Sequence, residues 1–305
     1  MIDLISDPKL LAGIHARVPR SDDARFRFDL FLTLPQVSQT RIERVQRRPF
    51  SPDLESAVIS GADEFHKKWE PGVRRMACFD PASLQVNDQT LVFRAYEQTA
   101  PKFFAGRRIY DSNPSAHWKS QLKTEIPMGA FAILLAKHQD ILYLLHGVRA
   151  KWTEDIGGPI QQVGVGSSEF GDTYQQNPFM YRLLREIQEE TALNPEQIET
   201  NFVGVNGSLG HWRDMQATFF AKSRESIAGN MRPLSEVLGS SGITGLPEKT
   251  KRLQVLDLGQ KSREHTTVFG VPIDAVGKYL HCAHSAMASY TGPHTAWLLK
   301  SGIAT

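Results

Sequence analysis

A mixed α/β sandwich preceded by a smaller α+β region is the fold class this sequence predicts, and three observations predict it. Apolar residues alternate with polar ones at 26–33 and run almost unbroken through two strand-length stretches between 127 and 148. One amphipathic helix follows at about 179–193, with more strand-like segments behind it. The composition is that of an ordinary globular chain: of 305 residues, 41% are hydrophobic and 22% charged, enough to bury a core and without a disorder signature. Strands, a helix, more strands and a closing helix stack as layers.

Taken in order, RFRFDLFL at 26–33 has the period of a half-buried strand. A helix is expected from Asp53 to Trp69, with Ser51 or Asp53 as N-cap and Leu54, Val58, Phe65 and Trp69 near one face. Residues 84–96 read as a strand pair turning at Asn87-Asp88, and 107–125 as a polar connection. The expected boundary lies near Ile126-Pro127, dividing an N-terminal α+β region (1–126) from a main domain (127–305). In the second part, two apolar strands turn at His138-Gln139-Asp140, and a glycine-rich loop runs from Gly157 to Gly171. The helix at 179–193 precedes a strand pair at 201–222, a strand at 265–273 and a terminal helix near 285–300.

Composition also excludes. A formal net charge of +2 argues against a nucleic-acid partner, and the Arg47-Arg48 and Arg107-Arg108 pairs read as solvated surface charge. Cys78 and Cys282 are too few for a disulfide framework or a four-cysteine zinc site, which suits a reducing compartment. The first 20 residues carry early acids and no sustained apolar core, unlike a signal peptide. No apolar run reaches the roughly 18 residues of a membrane span. The expectation is a soluble, cytoplasmic protein with no membrane partner.

The chemistry sits in FMYRLLREIQEETAL, 179–193. Met180, Leu183, Leu184 and Ile187 fall in one arc of roughly 100°, the apolar stripe of the helix. Glu186, Glu189 and Glu190 fall in another, at i, i+3, i+4, where their carboxylates are expected to converge. Converging carboxylates repel unless a cation sits among them, and a hard divalent ion, Mg²⁺ with Mn²⁺ as a substitute, suits oxygen ligands and a phosphate-bearing substrate. Arg185 is placed to orient one carboxylate. A merely solvated acidic face is the plain alternative.

The order Arg185-Glu186-Ile187-Gln188-Glu189-Glu190-Thr191-Ala192-Leu193 resembles the second half of the Nudix box, R-E-U-x-E-E-x-G-U, with Ala192 in the place of glycine. Trp152 to Gly157-Gly158 resembles the approach to the Nudix loop, with Ile156 where proline is usual. In the first half of the box Gly171 fits the leading glycine, Asn177 stands at the expected glutamate, and Glu169 is the candidate replacement in an enlarged loop. Arg47-Arg48-Pro49, the helix ending in Trp69 and the Phe103 segment are similar to the mammalian UDP-glucose pyrophosphatase branch and its plant relatives.

The resemblance implies a Nudix-type α/β/α sandwich that hydrolyses the pyrophosphate bond of a nucleoside diphosphate linked to another moiety, such as a UDP-sugar. It implies Mg²⁺ held by Glu186, Glu189, Glu190 and the carbonyl of Gly157, with Glu186 and Glu169 both candidates for the general base. In the loop between the late strands, Trp212 is a candidate to stack on a base and Arg213 to bind phosphate, against a plain surface loop. The segment 164–171 lacks the Lys-Ser/Thr ending of a P-loop and reads as an insertion or lid. His281, Cys282, His284 and His294 match no zinc spacing. A Nudix-fold module that binds a nucleotide without cutting it is the alternative, resting on Asn177, Ala192 and Ile156.

Overall fold

The computed structural model describes residues 30–33, 38–68, 75–79, 83, 85–112, 114–123, 125–150, 159–208, 214–243, 247–283, 286–287, 291–292 and 295. The first region contributes β1 (Leu30–Thr33), β2 (Gln39–Arg44), α1 (Pro52–Lys68), β3 (Arg75–Phe79), β4 (Gln85–Asn87), β5 (Thr90–Thr99), α2 (Ala100–Asp111) and α3 (Ala116–Leu122). Then come β6 (Ile126–His138), β7 (Ile141–Arg149), β8 (Ile160–Gln162), β9 (Val165–Ser167), α4 (Pro178–Thr191), β10 (Ile198–Ser208) and β11 (Asp214–Ser226). The chain continues through β12 (Asn230–Pro233), α5 (Leu234–Ser240), β13 (Gln254–Gly259), β14 (His265–Pro272) and α6 (Val276–Ala283).

The main sheet runs β1-β10-β11-β6-β7-β14-β13-β12 and is mixed: β11 lies parallel to β6, while β7 and β10 run antiparallel to their neighbours. The strand period of two decides which residues meet which layer. Along β6, Met128, Ala130, Ala132 and Leu134 join Leu183 and Ile187 of α4 in one core cluster. The intervening Phe131, Ile133 and Leu135 pack on Val237 of α5 and Tyr279 of α6. The sheet is therefore covered by helices on both faces, an α/β/α sandwich.

A second sheet pairs β2, β3 and β4 with β5, and β3 also pairs with the start of β6 through Cys78↔Pro127 and Phe79↔Ile126. Its inner face shares the α4 core: Phe79, Leu91, Phe93 and Ala95 belong to the same cluster, and the rings of Phe93 and Phe179 lie 4.9 Å apart. Thus at Ile126-Pro127 the chain crosses from one region to the next inside a continuous core. Leu54 and Val58 of α1 bury against Ala105 of α2, on the outer side of this layer.

Several expectations change in detail. The stretch 107–125 carries the end of α2 and all of α3, because Ser115 caps a short helix that the polar composition hides. The glycine-rich loop is in part β8 and β9, short strands added to β7 and β6. On α4, Phe179 is fully buried whereas Met180 and Leu184 are only partly so, since the second sheet covers the first turn from the side. The turns at Asp88 and at Gln139-Asp140 have φ of 53°, 47° and 65°, the left-handed values a tight hairpin needs. Most of the expected terminal helix, Trp69 and residues 26–29 lie outside the described residues. Among the described residues no helix is long and apolar enough to cross a membrane.

Candidate functional site

α4 brings two of the three glutamates inward. It packs on β6 and β9 with Ile187 against Gly164 and Glu186 against Gly166; a methyl group at Gly166 would fall on the Glu186 side chain. Glu186 and Glu190 are buried, one turn apart on the sheet side. Glu189, expected to join them, is 53% exposed and pairs with Arg185 at 2.7 Å. The helical angle explains the split: Glu190 is advanced about 40° from Glu186 and Glu189 set back about 60°. Only the first direction faces the sheet. Among the described residues no group of three or more His, Cys, Asp or Glu side chains is gathered in a metal-holding arrangement.

Arg182, which sequence reading missed, pairs with Glu186 one turn further along α4 and lies 3.5 Å from Glu169. Its side chain is only 4% exposed. Glu169 is held in place from two sides: its N–H donates to Asp172 at 2.8 Å, and the Ser168 carbonyl accepts from the Ala77 N–H of β3 at 3.1 Å. The first region therefore positions a carboxylate beside the α4 glutamates, and one guanidinium bridges Glu169 to Glu186. The signal for Arg182 in the sequence was its i, i+4 relation to Glu186 on the buried face.

Glu190 is the odd group. One carboxylate oxygen accepts from the Gly164 N–H, while Oε1 is buried with no hydrogen-bond partner. Burial pushes its carboxyl well above the usual carboxylate range and the Glu186 charge adds to the rise; the Gly164 N–H and Arg149 oppose it. Arg149, at the end of β7, feels the Glu190 charge, yet its Nε and Nη1 are buried without partners. An unpaired buried acceptor and unpaired buried donors in one neighbourhood are costly unless a third party satisfies them. Nearby, burial and then Arg149 lower His265 to about 4, so it is the neutral ring that meets the Gln161 side chain at 2.9 Å.

The donor set fits a divalent cation in part. Glu190 Oε1 is free, Glu186 lies beside it, and both are oxygen ligands of the hard type Mg²⁺ prefers. Gly157, Trp212 and Arg213 lie outside the described residues. Asn177, where a glutamate was expected, precedes α4 and accepts from the Thr40 hydroxyl at 2.7 Å, fastening β2 to the helix start. Ala192 ends α4 with φ 62°, which accounts for glycine at that place in the motif. His281 is exposed and Cys282 buried on α6.

No protein-family model matches this chain, and no curated protein does. Among solved structures, an Ap4A hydrolase binary complex from C. elegans is similar at 14% identity, covering 59% of this chain and 98% of that one with a TM-score of 0.31.

Proposed function

We propose that this protein is a Mg²⁺-dependent pyrophosphohydrolase of the Nudix type, acting on a nucleoside diphosphate linked to a second moiety such as a sugar. The observation that carries the reading is the buried, unpartnered oxygen of Glu190 beside Glu186, on the helix whose sequence resembles the Nudix box. Glu186 already has the Arg182 guanidinium, so the unmet demand is at Glu190, and a divalent cation that accompanies a diphosphate substrate would meet it.

In this reading Glu186 and Glu190 hold the metal, with the carbonyl of Gly157 as a further ligand and Glu189 at the outer edge. Mg²⁺, once bound, supplies charge neutralisation of the diphosphate and acidification of the attacking water. Arg149 offers its two unused N–H groups to a phosphate oxygen. Arg182 fixes the orientation of Glu186 and Glu169 and keeps their charge in balance. The proton of the water passes to Glu169 or Glu186, and Glu169, 38% exposed, has the more open route to solvent. Trp212 and Arg213 take the base and the second phosphate.

The test is a panel of nucleoside diphosphate compounds, sugar-linked and dinucleotide, assayed with Mg²⁺ and scored by which phosphate product appears. UMP and a sugar 1-phosphate from a UDP-sugar is the expected pair. Glu190→Gln and Glu186→Gln are expected to remove turnover and also the rise in melting temperature on adding Mg²⁺. Wild-type turnover in either variant at saturating metal ends the reading. A non-cutting module predicts thermal stabilisation by nucleotide in Mg²⁺ with no product.

A further inference from the structure

A cavity lies on the face of the second sheet opposite α4. Alternate residues of β5 divide between the faces: Leu91, Phe93 and Ala95 join the α4 core, so Arg94 and Tyr96 stand on the opposite side. There a cavity of about 220 Å³ is walled by Val45, Gln46, Arg47, Arg48, Ser83, Arg94, Tyr96 and Glu125. Three of these carry a guanidinium and one a carboxylate. The Arg47-Arg48 pair, read from sequence as solvated, is therefore split in role.

Arg47 builds the wall. It donates to Glu125 at 2.6 Å and to Glu55 at 3.0 Å, and its guanidinium lies 3.9 Å from the ring centre of Phe50. Glu125, buried, is further held by Gln98 at 2.9 Å. The one acid lining the cavity among the described residues is thus already committed to the protein. Arg48 is exposed and has no ion-pair partner among the described residues. Among the described residues the ion-pair partner of the exposed Arg94 is the half-buried Glu43, at 3.3 Å, a contact that is weak in water. The Val45 N–H bonds the Ala95 carbonyl at 2.9 Å, extending the β2–β5 pairing by one residue into the cavity wall.

We propose that this cavity binds a small phosphoryl-bearing ligand, with Arg48 and Arg94 as the forks that grip its oxygens and Tyr96 and Ser83 as the flanking wall. Several guanidinium groups converging on a concave surface suit the spread oxygens of a phosphoryl group better than a lone carboxylate, which one fork satisfies. The size admits a phosphate with a small organic body and excludes a whole dinucleotide. The site stands apart from the Glu186–Glu190 cluster and does not depend on the reaction assigned to it.

Isothermal titration of the full chain with inorganic phosphate, and separately with a sugar monophosphate, tests this in low salt without divalent metal. Saturable binding is expected with both, stronger for whichever source the site serves, and acetate is expected to be silent. Arg48→Ala and Arg94→Ala each remove a surface-reaching side chain, so the fold is kept, and each is expected to weaken phosphate binding about tenfold. Glu186→Gln is expected to bind phosphate as the wild type does. No binding of either phosphate probe to the wild type, or unchanged binding in both arginine variants, overturns the proposal.

Discussion

The two buried carboxylates Glu125 and Glu190 are treated in opposite ways by the same molecule. Glu125 receives Arg47 at 2.6 Å and Gln98 at 2.9 Å, so burial pushes its carboxyl upward while both partners pull it back. Glu190 receives one backbone N–H, keeps one oxygen unpaired, and has Glu186 pushing in the same direction as burial. A carboxylate closed by its own chain is a structural tie. A carboxylate left open beside another is a place prepared for something that the chain itself does not provide.

The largest effect expected from breaking this contrast is on catalysis. Glu190→Gln should lower turnover on the diphosphate substrate by about a hundredfold to a thousandfold, while Glu125→Gln should leave turnover per folded molecule and its Mg²⁺ dependence unchanged. Next is stability, where the roles reverse. Removing the Glu125 charge leaves the mostly buried Arg47 with Glu55 alone as its charge partner, at a cost of about 3 kcal/mol in denaturant unfolding. Equal losses of stability in Glu125→Gln and Glu190→Gln would erase the distinction.

The sign of the pH response sharpens it further. The Glu190 carboxyl in the folded protein is held well above its ordinary value of about 4.5 by burial and then by the Glu186 charge. The folded protein therefore holds the proton more tightly than the unfolded chain, so the stabilisation is complete below about 4.5 and is lost as pH rises through the folded pKa. Metal-free wild type should lose stability across that range, Glu190→Gln should lose less because only the raised carboxyls of Glu125 and Asp172 remain, and Mg²⁺ should restore the wild type at the high end. A melting temperature that ignores pH in metal-free wild type would contradict the raised pKa. The smallest effect is at the helix end: Ala192→Gly relieves a left-handed residue and should add about 1 kcal/mol of stability, with turnover unchanged.

How much of this was legible beforehand depends on the range of the interaction. The hairpin at His138–Asp140, the helix at 179–193 and the strand at 265–273 rest on local periodicity and turn chemistry, and the structure has β6, β7, α4 and β14 at those places. β12, α5 and β13 escaped notice because they are short and gain their burial from β14 and the far face of the sheet. α2 and α3 were hidden in polar sequence, since only one flank of each is covered.

The sequence by itself determined the layered α/β class and put three glutamates on one helix, because helical spacing is a property of the backbone alone. Only the tertiary structure decided that Glu186 and Glu190 face inward while Glu189 remains in solvent with Arg185, since that choice depends on where β9 presses against α4. It also decided that Arg182, Arg149 and Glu169 converge on that face, and that Arg47 leaves solvent for Glu125. Charges far apart in the chain become strong partners when burial removes the water that had been screening them.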